Sequence, residues 1–193
     1  MSETVSEPTG RRSSPLLHVV LHQPDIPQNT GNIGRTCLAV GAKLWLVRPL
    51  GFRLSEKHLR RAGMDYWPQV EWEAVENWSV LLERLGDRPM WFLTKSGRHR
   101  VWEASFQPGD VLVLGSETRG LPAAMLETHA ARTLSLPMHP EVRSLNLAST
   151  ATAVVYEAVR QLGGLEAIPS LLELPLPPGR MPTYSEGCHA RRR

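Results

Sequence analysis

The sequence predicts an α/β protein built on a doubly wound, mostly parallel sheet. Apolar, strand-like runs alternate with segments of helical periodicity along most of the chain, which is the pattern of such folds. The run Val111–Leu114 is apolar at every position, as expected for a strand buried on both faces of a parallel sheet. Three strand-like runs are each followed by a polar loop and a helix start, and in parallel sheets these loops gather beyond the carboxyl ends of the strands.

The first half of the domain contains three strand-like runs. Residues 16–21 form the first, and the turn after it holds prolines and a glycine, which end the strand, and an asparagine or threonine that can cap a helix. That helix is expected to run to Val40, because Gly41 is a favoured residue just past a helix end. The other elements of this half are a strand at 43–47, a short helix at 56–62 and a brief strand at 70–72.

The second half continues the alternation of strands and helices. Asn77 is a suitable N-cap for a helix that ends before Gly86. Pro122 is favoured in the first turn of a helix, so a helix is expected directly after the loop that follows Val111–Leu114. The remaining elements are a strand at 90–94, a strand at 133–136 and a long helix at 147–162.

Length and composition limit the classes of protein that fit. A chain of 193 residues with 41% apolar content suits one globular domain with a sizeable core. No apolar run approaches the roughly 20 residues needed to cross a bilayer, and the N-terminus lacks the pattern of a signal peptide. Two cysteines and scattered histidines form neither a disulfide framework nor a set of metal ligands. We therefore expect a cytoplasmic protein with no metal ion and no membrane association.

The chain divides into three predicted regions. Residues 1–15 are polar and rich in Ser, Glu and Pro, so we expect a disordered N-terminal arm. Residues 16–164 hold the α/β domain. Residues 165–193 are rich in proline and end in three arginines, which is typical of a mobile tail.

Basic residues are concentrated in two short segments. The net charge of +3 is mild, so the placement of the cations is more informative than their number. Such clusters suit contact with a phosphate backbone, and a solvated helix face explains them equally well when they are considered alone. The first cluster comprises Arg53, Lys57, Arg60 and Arg61, and the second comprises Lys95, Arg98 and Arg100.

Three polar segments carry the side chains most suited to a site. Taken singly, each has an ordinary explanation as a helix cap, a turn glycine or a surface charge. Because all three follow predicted strands, we expect them to converge at one edge of the sheet, where ligands bind. Their polar and glycine residues are Asn29, Gly31, Asn32 and Arg35 in the first, Gly115, Ser116, Glu117, Arg119 and Gly120 in the second, and Ser144 and Asn146 in the third.

In order and spacing, these segments resemble the three motifs of the SPOUT class of RNA methyltransferases. The resemblance extends from about residue 17 to residue 163 and is closest to the small bacterial enzymes that methylate the ribose 2′-oxygen of the tRNA wobble nucleotide. It implies S-adenosylmethionine-dependent methylation of cytidine or uridine in tRNA, with leucine tRNAs as the expected substrates. It also implies a C-terminal trefoil knot, in which the chain of the third motif passes through the loop of the second.

The resemblance further implies a homodimer, with the first-motif helix and the last helix at the interface. Val154, Val155 and Tyr156 would then pack against the partner and not in an internal core. It assigns tRNA contacts to Arg35, Arg60, Arg61 and Arg143, and cofactor contacts to Leu93, Thr94, Gly115, Ser116, Leu136, Ser144 and Leu145. The residues it places in catalysis are Arg35, Asn29, Glu117, Ser144 and Asn146.

Arg35 is the motif arginine that the resemblance places beside the target ribose. A general-base role has been suggested for it in such enzymes, but a guanidinium group keeps its proton in proteins. We therefore favour a role in orienting the phosphate and stabilising the developing alkoxide. Asn29 is a candidate for holding Arg35, and Glu117 for accepting hydrogen bonds from the first loop or from Arg35.

Several alternatives stay open at this point. A knotted methyltransferase could act on another tRNA position or on ribosomal RNA, and a non-catalytic RNA-binding protein could share the fold. A nucleotide-binding enzyme of Rossmann type would also alternate strands and helices, but the first loop lacks the expected glycine fingerprint. Tyr66 and Trp67 either stack on a base of the RNA or belong to the core.

Overall fold

The computed structural model describes residues 14–53 and 66–163. Several predictions concern residues that the structure does not describe. They are the short helix at 56–62, the roles of Arg60 and Arg61, and most or all of the two terminal regions. The described chain forms a sheet of seven strands in the order β3-β2-β1-β6-β4-β7-β5, and every pair of neighbouring strands is parallel. The strands are β1 (His18–His22), β2 (Lys43–Val47), β3 (Trp72–Val75), β4 (Met90–Leu93), β5 (His99–Arg100), β6 (Val111–Leu114) and β7 (Thr133–Ser135).

Helices cover both faces of this sheet, which confirms the predicted doubly wound α/β fold. They are α1 (Pro27–Val40), α2 (Trp78–Leu85), α3 (Ala123–Thr128) and α4 (Leu147–Gln161). Successive residues of a strand point to opposite faces. Val19 and Leu21 therefore pack into a core with Ile33 of α1, whereas Val20 between them packs into a second core with Leu81 of α2.

Most predicted element boundaries lie within two residues of the observed ones. Gly41 ends α1 with a φ of 69°, the left-handed conformation that glycine adopts at low cost. Asn77 caps α2 by accepting a hydrogen bond from the Val80 N–H at 3.0 Å. Among the helices in residues 14–53 and 66–163, none has both the length and the apolar content required to cross a membrane.

Three local predictions are wrong. Helix α1 begins at Pro27, with Ile26 as an N-cap that makes no side-chain hydrogen bond. A proline at the first helical position already has the required φ, so the helix starts without the expected asparagine or threonine cap. The third strand is Trp72–Val75 and not 70–72, because Val70 closes a turn of 3₁₀ helix by bonding to the Trp67 carbonyl. Strand β5 was not predicted, since two residues are too few to show a period.

The inner face of α4 packs within its own chain. Val154 and Val155 are fully buried in the core that α1 and α4 share, so the expectation that they pack against a partner instead is wrong. The Thr36 and Thr152 hydroxyls, one from each helix, are hydrogen-bonded at 2.9 Å. Tyr156 differs from its neighbours, because 48% of its surface is exposed. This leaves Tyr156 as the residue of the predicted trio that is available to a partner.

His18, at the start of β1, makes the stability of the fold depend on pH. The side chain is buried and its Nδ1 accepts a hydrogen bond from Trp45 Nε1 at 3.0 Å. Burial is the largest cause that lowers the pKa of His18, and together with the nearby positive charges of Arg88 and Lys43 it brings the pKa to about 4. His18 is therefore neutral in the folded protein at a pH where the unfolded chain, with a pKa near 6.5, already takes up a proton.

We expect the free energy of unfolding to be highest above pH 6.5 and to fall as the pH drops towards 4. The contribution of His18 to this loss is roughly 2 kcal/mol at pH 5. His18→Asn keeps an acceptor near the Trp45 N–H and cannot titrate, so the variant should lose less stability than the wild type between pH 7.5 and pH 5 in denaturant unfolding. His139→Asn, which changes an exposed histidine, is the matched control. Parallel losses in all three proteins would show that His18 is not the source.

Candidate active site

A cavity of about 610 Å³ opens at the carboxyl ends of β4, β6 and β7. Its walls come from the loops that follow these three strands and from the start of α1, so all three polar segments reach the cavity, the first of them through Asn29 alone. The parallel sheet explains the arrangement, because neighbouring parallel strands end at the same edge. All seven residues that the sequence assigned to a cofactor line this cavity: Leu93, Thr94, Gly115, Ser116, Leu136, Ser144 and Leu145.

Gly115 lies where the second loop folds back on itself. The Ser116 carbonyl accepts a hydrogen bond from the Gly120 N–H at 2.9 Å, which closes the loop directly after β6. A Cβ atom on Gly115 would lie 2.1 Å from the Gly120 carbonyl carbon and 2.3 Å from the Leu121 nitrogen. Any side chain at position 115 would therefore force the backbone of this cavity wall apart.

Asn146 joins the third loop to the first. It is the N-cap of α4, and its Oδ1 accepts hydrogen bonds from the Ala148 N–H at 2.9 Å and the Ser149 N–H at 3.1 Å. Its Nδ2 donates to Asn29 Oδ1 at 3.0 Å. Because the two N–H groups of α4 need an acceptor, they fix which way the Asn146 amide points, and this in turn fixes the Asn29 amide.

Glu117 completes the path by joining the first loop to the second. Asn29 Nδ2 donates to Glu117 Oε1 at 2.9 Å, and the Asp25 N–H donates to Glu117 Oε2 at 2.8 Å. Glu117 therefore accepts from the first loop, which was one of its two expected roles. Both carboxylate oxygens face donors, so the path from α4 requires a group that only accepts at position 117.

Replacing Glu117 with glutamine should break this path although the side chain keeps its size. The new amide would turn an NH₂ group towards either Asn29 or Asp25. Asp25 presents a backbone N–H, which cannot act as an acceptor, and the Asn29 amide could offer its oxygen only by losing its bond with Asn146. We expect a loss of about 1–3 kcal/mol in the free energy of unfolding, as for a buried donor left unpaired. Glu83→Gln, at an exposed position of α2, is the control in thermal unfolding. Equal stability of both variants would contradict the directional path.

The second loop is also tied to the first by Asp25, which sequence reasoning missed. The Thr118 hydroxyl and N–H both donate to Asp25 Oδ2. The hydrogen bond from the Thr118 hydroxyl is the main cause that lowers the pKa of Asp25 below its usual range. Arg119 donates to Gln23 Oε1 at 3.3 Å, so it also connects these two loops. No sequence signal pairs Asp25 with Thr118, because 93 positions separate them.

Arg35 lies apart from the other four predicted catalytic residues. Asn29, Glu117, Ser144 and Asn146 line the cavity, whereas Arg35 is exposed more than one turn further along α1 and does not line it. The expectation that Asn29 holds Arg35 is wrong, because the Asn29 amide is bonded to Glu117 and Asn146.

Two aromatic side chains lie against α1. The Arg35 guanidinium carbon lies 4.3 Å from the ring centroid of Tyr66, whose hydroxyl donates to the Gly31 carbonyl oxygen. Trp67 is only 2% exposed, so of its two alternative roles the place in the core is confirmed and stacking on a base is excluded.

The mouth of the cavity carries positive charge. Lys95, Arg119 and Arg143 line it, and among the described residues that line the cavity only Glu117 is acidic. Arg143 and Lys95 are exposed, and both belong to loops that follow strands. Within the described residues there is no group of three or more His, Cys, Asp or Glu side chains that could hold a metal ion.

Comparisons with known proteins extend over most of the chain. A model of the SpoU rRNA methylase family matches residues 16–156. A protein named tRNA (cytidine(34)-2′-O)-methyltransferase from Methylovorus glucosotrophus is 46% identical over 147 residues, which are 76% of this chain and 96% of the relative. The protein of the same name from Escherichia coli is 42% identical over 149 residues, which are 77% of this chain and 95% of the relative.

Two solved structures share the fold. One, described as giving structural insights into the 2-OH methylation of C/U34 on tRNA, is 47% identical with a TM-score of 0.69, and the match covers 76% of this chain and 95% of that one. The other is the SpoU methyltransferase AviRb from Streptomyces viridochromogenes in complex with the cofactor AdoMet. It is 28% identical with a TM-score of 0.67, and the match covers 80% of this chain and 61% of AviRb.

Proposed function

This chain belongs to the SpoU rRNA methylase family, and from that premise we propose that it methylates the ribose 2′-oxygen of the tRNA wobble nucleotide. The observation that carries the proposal is the convergence of all three motif loops on one cavity, in a chain that matches wobble cytidine methyltransferases over nearly their whole length. The neighbour concerned with C/U34 methylation supports uridine as a second substrate. We propose leucine tRNAs as the acceptors and the cytoplasm as the place of action.

The cavity fits S-adenosylmethionine, the methyl donor of the family. Its volume of about 610 Å³ is in the range of small-molecule sites, and leucine side chains alternate with polar loop groups around it. The missing side chain at Gly115 lets the backbone of Gly120 and Leu121 close against it, which forms one wall of the cavity. The AdoMet-bound AviRb structure supports the same ligand. Leu93, Gly115, Leu136 and Ser144 would hold it, with Thr94, Ser116 and Leu145 beside them.

The bound cofactor would supply an electrophilic methyl group on a sulfonium. The residues of this chain must place the ribose hydroxyl in line with that group and keep water out, since in-line transfer depends on alignment. The hydroxyl proton passes to solvent as the new oxygen–carbon bond forms, and a nearby positive charge lowers the barrier by stabilising the negative charge that develops on the oxygen. We assign that role to Arg35, which also orients the adjacent phosphate.

The path from Asn146 through Asn29 to Glu117 holds the three loops in register. Without it, the third loop would lose its side-chain bond to the first, although Asp25 and Thr118 would still join the first loop to the second. Small displacements of reacting groups cost large factors in rate. Ser144 is exposed on the third loop, where its hydroxyl can bind either the cofactor or the ribose. These residues position the site and take no proton themselves.

For tRNA, we propose contacts from Arg35, Arg60, Arg61 and Arg143. Arg143, with Lys95 and Arg119, gives the cavity mouth the positive charge that suits a phosphate backbone. Arg60 and Arg61 lie outside the described residues, and their assignment rests on the motif resemblance. Because phosphate contacts dominate such binding, affinity should fall steeply with salt concentration.

We further propose that the protein is a homodimer with a C-terminal trefoil knot. Arg35 is exposed on α1 and Tyr156 is exposed on α4, and these two helices pack side by side. A second copy on this face would bring an arginine that lies outside its own cavity closer to the cavity of the partner. The knot is supported by the position of the third loop beside the closed second loop in one cavity. Light scattering of the purified protein tests the dimer.

The test of the function is identification of the methylated nucleoside. Purified protein is incubated with labelled S-adenosylmethionine and unmodified bacterial tRNA, and the RNA is digested and analysed by mass spectrometry. We expect 2′-O-methylcytidine or 2′-O-methyluridine at position 34 of leucine tRNAs. A methylated base would overturn the ribose assignment, and label confined to ribosomal RNA would overturn the tRNA assignment. Absence of both cofactor binding and transfer would favour a non-catalytic RNA-binding protein.

A further inference from the structure

Tyr66 contacts both ends of the helical turn that carries Arg35. Its hydroxyl donates to the Gly31 carbonyl oxygen at 2.9 Å, and its ring centroid lies 4.3 Å from the Arg35 guanidinium carbon. Gly31 and Arg35 are four residues apart on α1 and so lie on one side of the helix. In an α-helix the Gly31 carbonyl is also the acceptor for the Arg35 N–H. The Tyr66 ring is therefore attached to the same turn of α1 that carries the Arg35 side chain.

The aromatic ring holds the guanidinium without using its hydrogen-bond donors. Arg35 is exposed, and no carboxylate within residues 14–53 and 66–163 lies within salt-bridge distance of it. A carboxylate partner would neutralise the charge and occupy the N–H groups. An aromatic face attracts the plane of the cation instead, and leaves its five donors directed outwards for an anion.

The neighbouring Trp67 keeps Tyr66 in place. Trp67 is 2% exposed, and its ring lies over Gly34, where an added Cβ would come within 2.7 Å of it. The close approach of this large side chain to α1 fixes the backbone on which Tyr66 is carried. Tyr66 is therefore held from two sides, by its own hydroxyl and by the buried tryptophan after it.

We propose that Tyr66 is a positioning residue for methyl transfer, which holds the Arg35 guanidinium in one orientation with its donors available to the target nucleotide. The inference rests on the proposed function, in which Arg35 stabilises the developing alkoxide. An arginine side chain without support samples many rotamers, so its donors would reach the transition state less often. Tyr66 acts through Arg35 and takes no part in the chemistry.

Two substitutions separate the ring from the hydroxyl. Tyr66→Leu removes the ring, and we expect the single-turnover rate to fall at least about tenfold, because misplaced groups lose large factors in rate. Cofactor affinity should stay within about twofold, since Tyr66 does not line the cavity. Tyr66→Phe keeps the ring and should retain the rate within about threefold. Tyr66→Met replaces the leucine variant if that variant does not fold.

A double-mutant cycle with Arg35→Ala distinguishes positioning from general destabilisation. If Tyr66 acts only through Arg35, then Tyr66→Leu lowers the rate no further in the Arg35→Ala background. A further loss in that background, or a wild-type rate for the single leucine variant, would overturn the proposal.

An NMR measurement separates this proposal from the proposed function. The Arg35 Nε–H resonance is identified by its disappearance in Arg35→Ala, and its ring-current shift should persist in Tyr66→Phe and vanish in Tyr66→Leu. An unchanged shift in the leucine variant would overturn the positioning role. Wild-type protein that transfers no methyl group to tRNA would overturn the proposed function, and the NMR result would still decide whether Tyr66 holds Arg35.

Discussion

Replacing Arg35 with alanine is expected to slow methyl transfer by about 100- to 1,000-fold, the range seen when one donor to a developing oxyanion is removed. The effect should appear in the rate of the chemical step. Cofactor affinity should stay within about twofold, because Arg35 does not line the cavity. Arg35→Lys keeps the charge but loses the planar donor fork, so its rate should fall between those of the wild type and the alanine variant.

Single-turnover transfer from labelled S-adenosylmethionine at saturating tRNA measures the rate, and calorimetric titration measures cofactor affinity. Arg84→Ala is the matched control, since it removes an exposed arginine from α2, on the opposite face of the sheet. That variant should react at the wild-type rate. A decrease of less than tenfold for Arg35→Ala would remove Arg35 from the proposed mechanism. A parallel loss of cofactor affinity would place it in the cofactor site instead.

Residue type and spacing predict what belongs to this site, but not how its members are connected. The seven predicted cofactor contacts line the cavity because each ends or follows a strand whose carboxyl end lies at the same edge of the sheet. The bond between Asn29 and Glu117 spans 88 positions, and only the packed sheet brings them together. Sequence reasoning paired Asn29 with Arg35 because the two are close in the chain. In the structure the Asn29 amide instead bonds to Glu117 and Asn146, which are far away in the sequence.

Local signals fail where packing decides the outcome. Val154 and Val155 have no feature that separates a buried core position from a dimer contact, and the structure buries both in the core that α1 and α4 share. Tyr66 and Trp67 are adjacent aromatic residues in different environments. Trp67 is buried against Gly34, whereas the Tyr66 ring packs against the Arg35 guanidinium. The pattern of residue types along the chain does not reveal either outcome, because the burial of each side chain depends on which other elements pack against it.

Replacing Gly115 with alanine is the second large effect, and we expect it on cofactor binding. The added Cβ would lie 2.1 Å from the Gly120 carbonyl carbon and 2.3 Å from the Leu121 nitrogen. Both atoms belong to the backbone, so no side-chain rotation relieves the contact and the loop must open. Overpacking of this kind costs roughly 1–3 kcal/mol, which corresponds to about a 5- to 150-fold weaker affinity if the strain falls on the closed loop.

Calorimetric titration with S-adenosylmethionine checks this loss, with thermal unfolding as a measure of the fold. Gly34→Ala is the matched control, because its Cβ would lie 2.7 Å from the Trp67 ring, away from the cavity. That variant should lose stability yet bind the cofactor with nearly wild-type affinity. If both alanine variants lose affinity equally, the cause is general destabilisation. If Gly115→Ala binds the cofactor normally, the closed second loop does not hold the cofactor. The alanine side chain would force this loop open, and an opened loop could not keep its contacts with a bound cofactor.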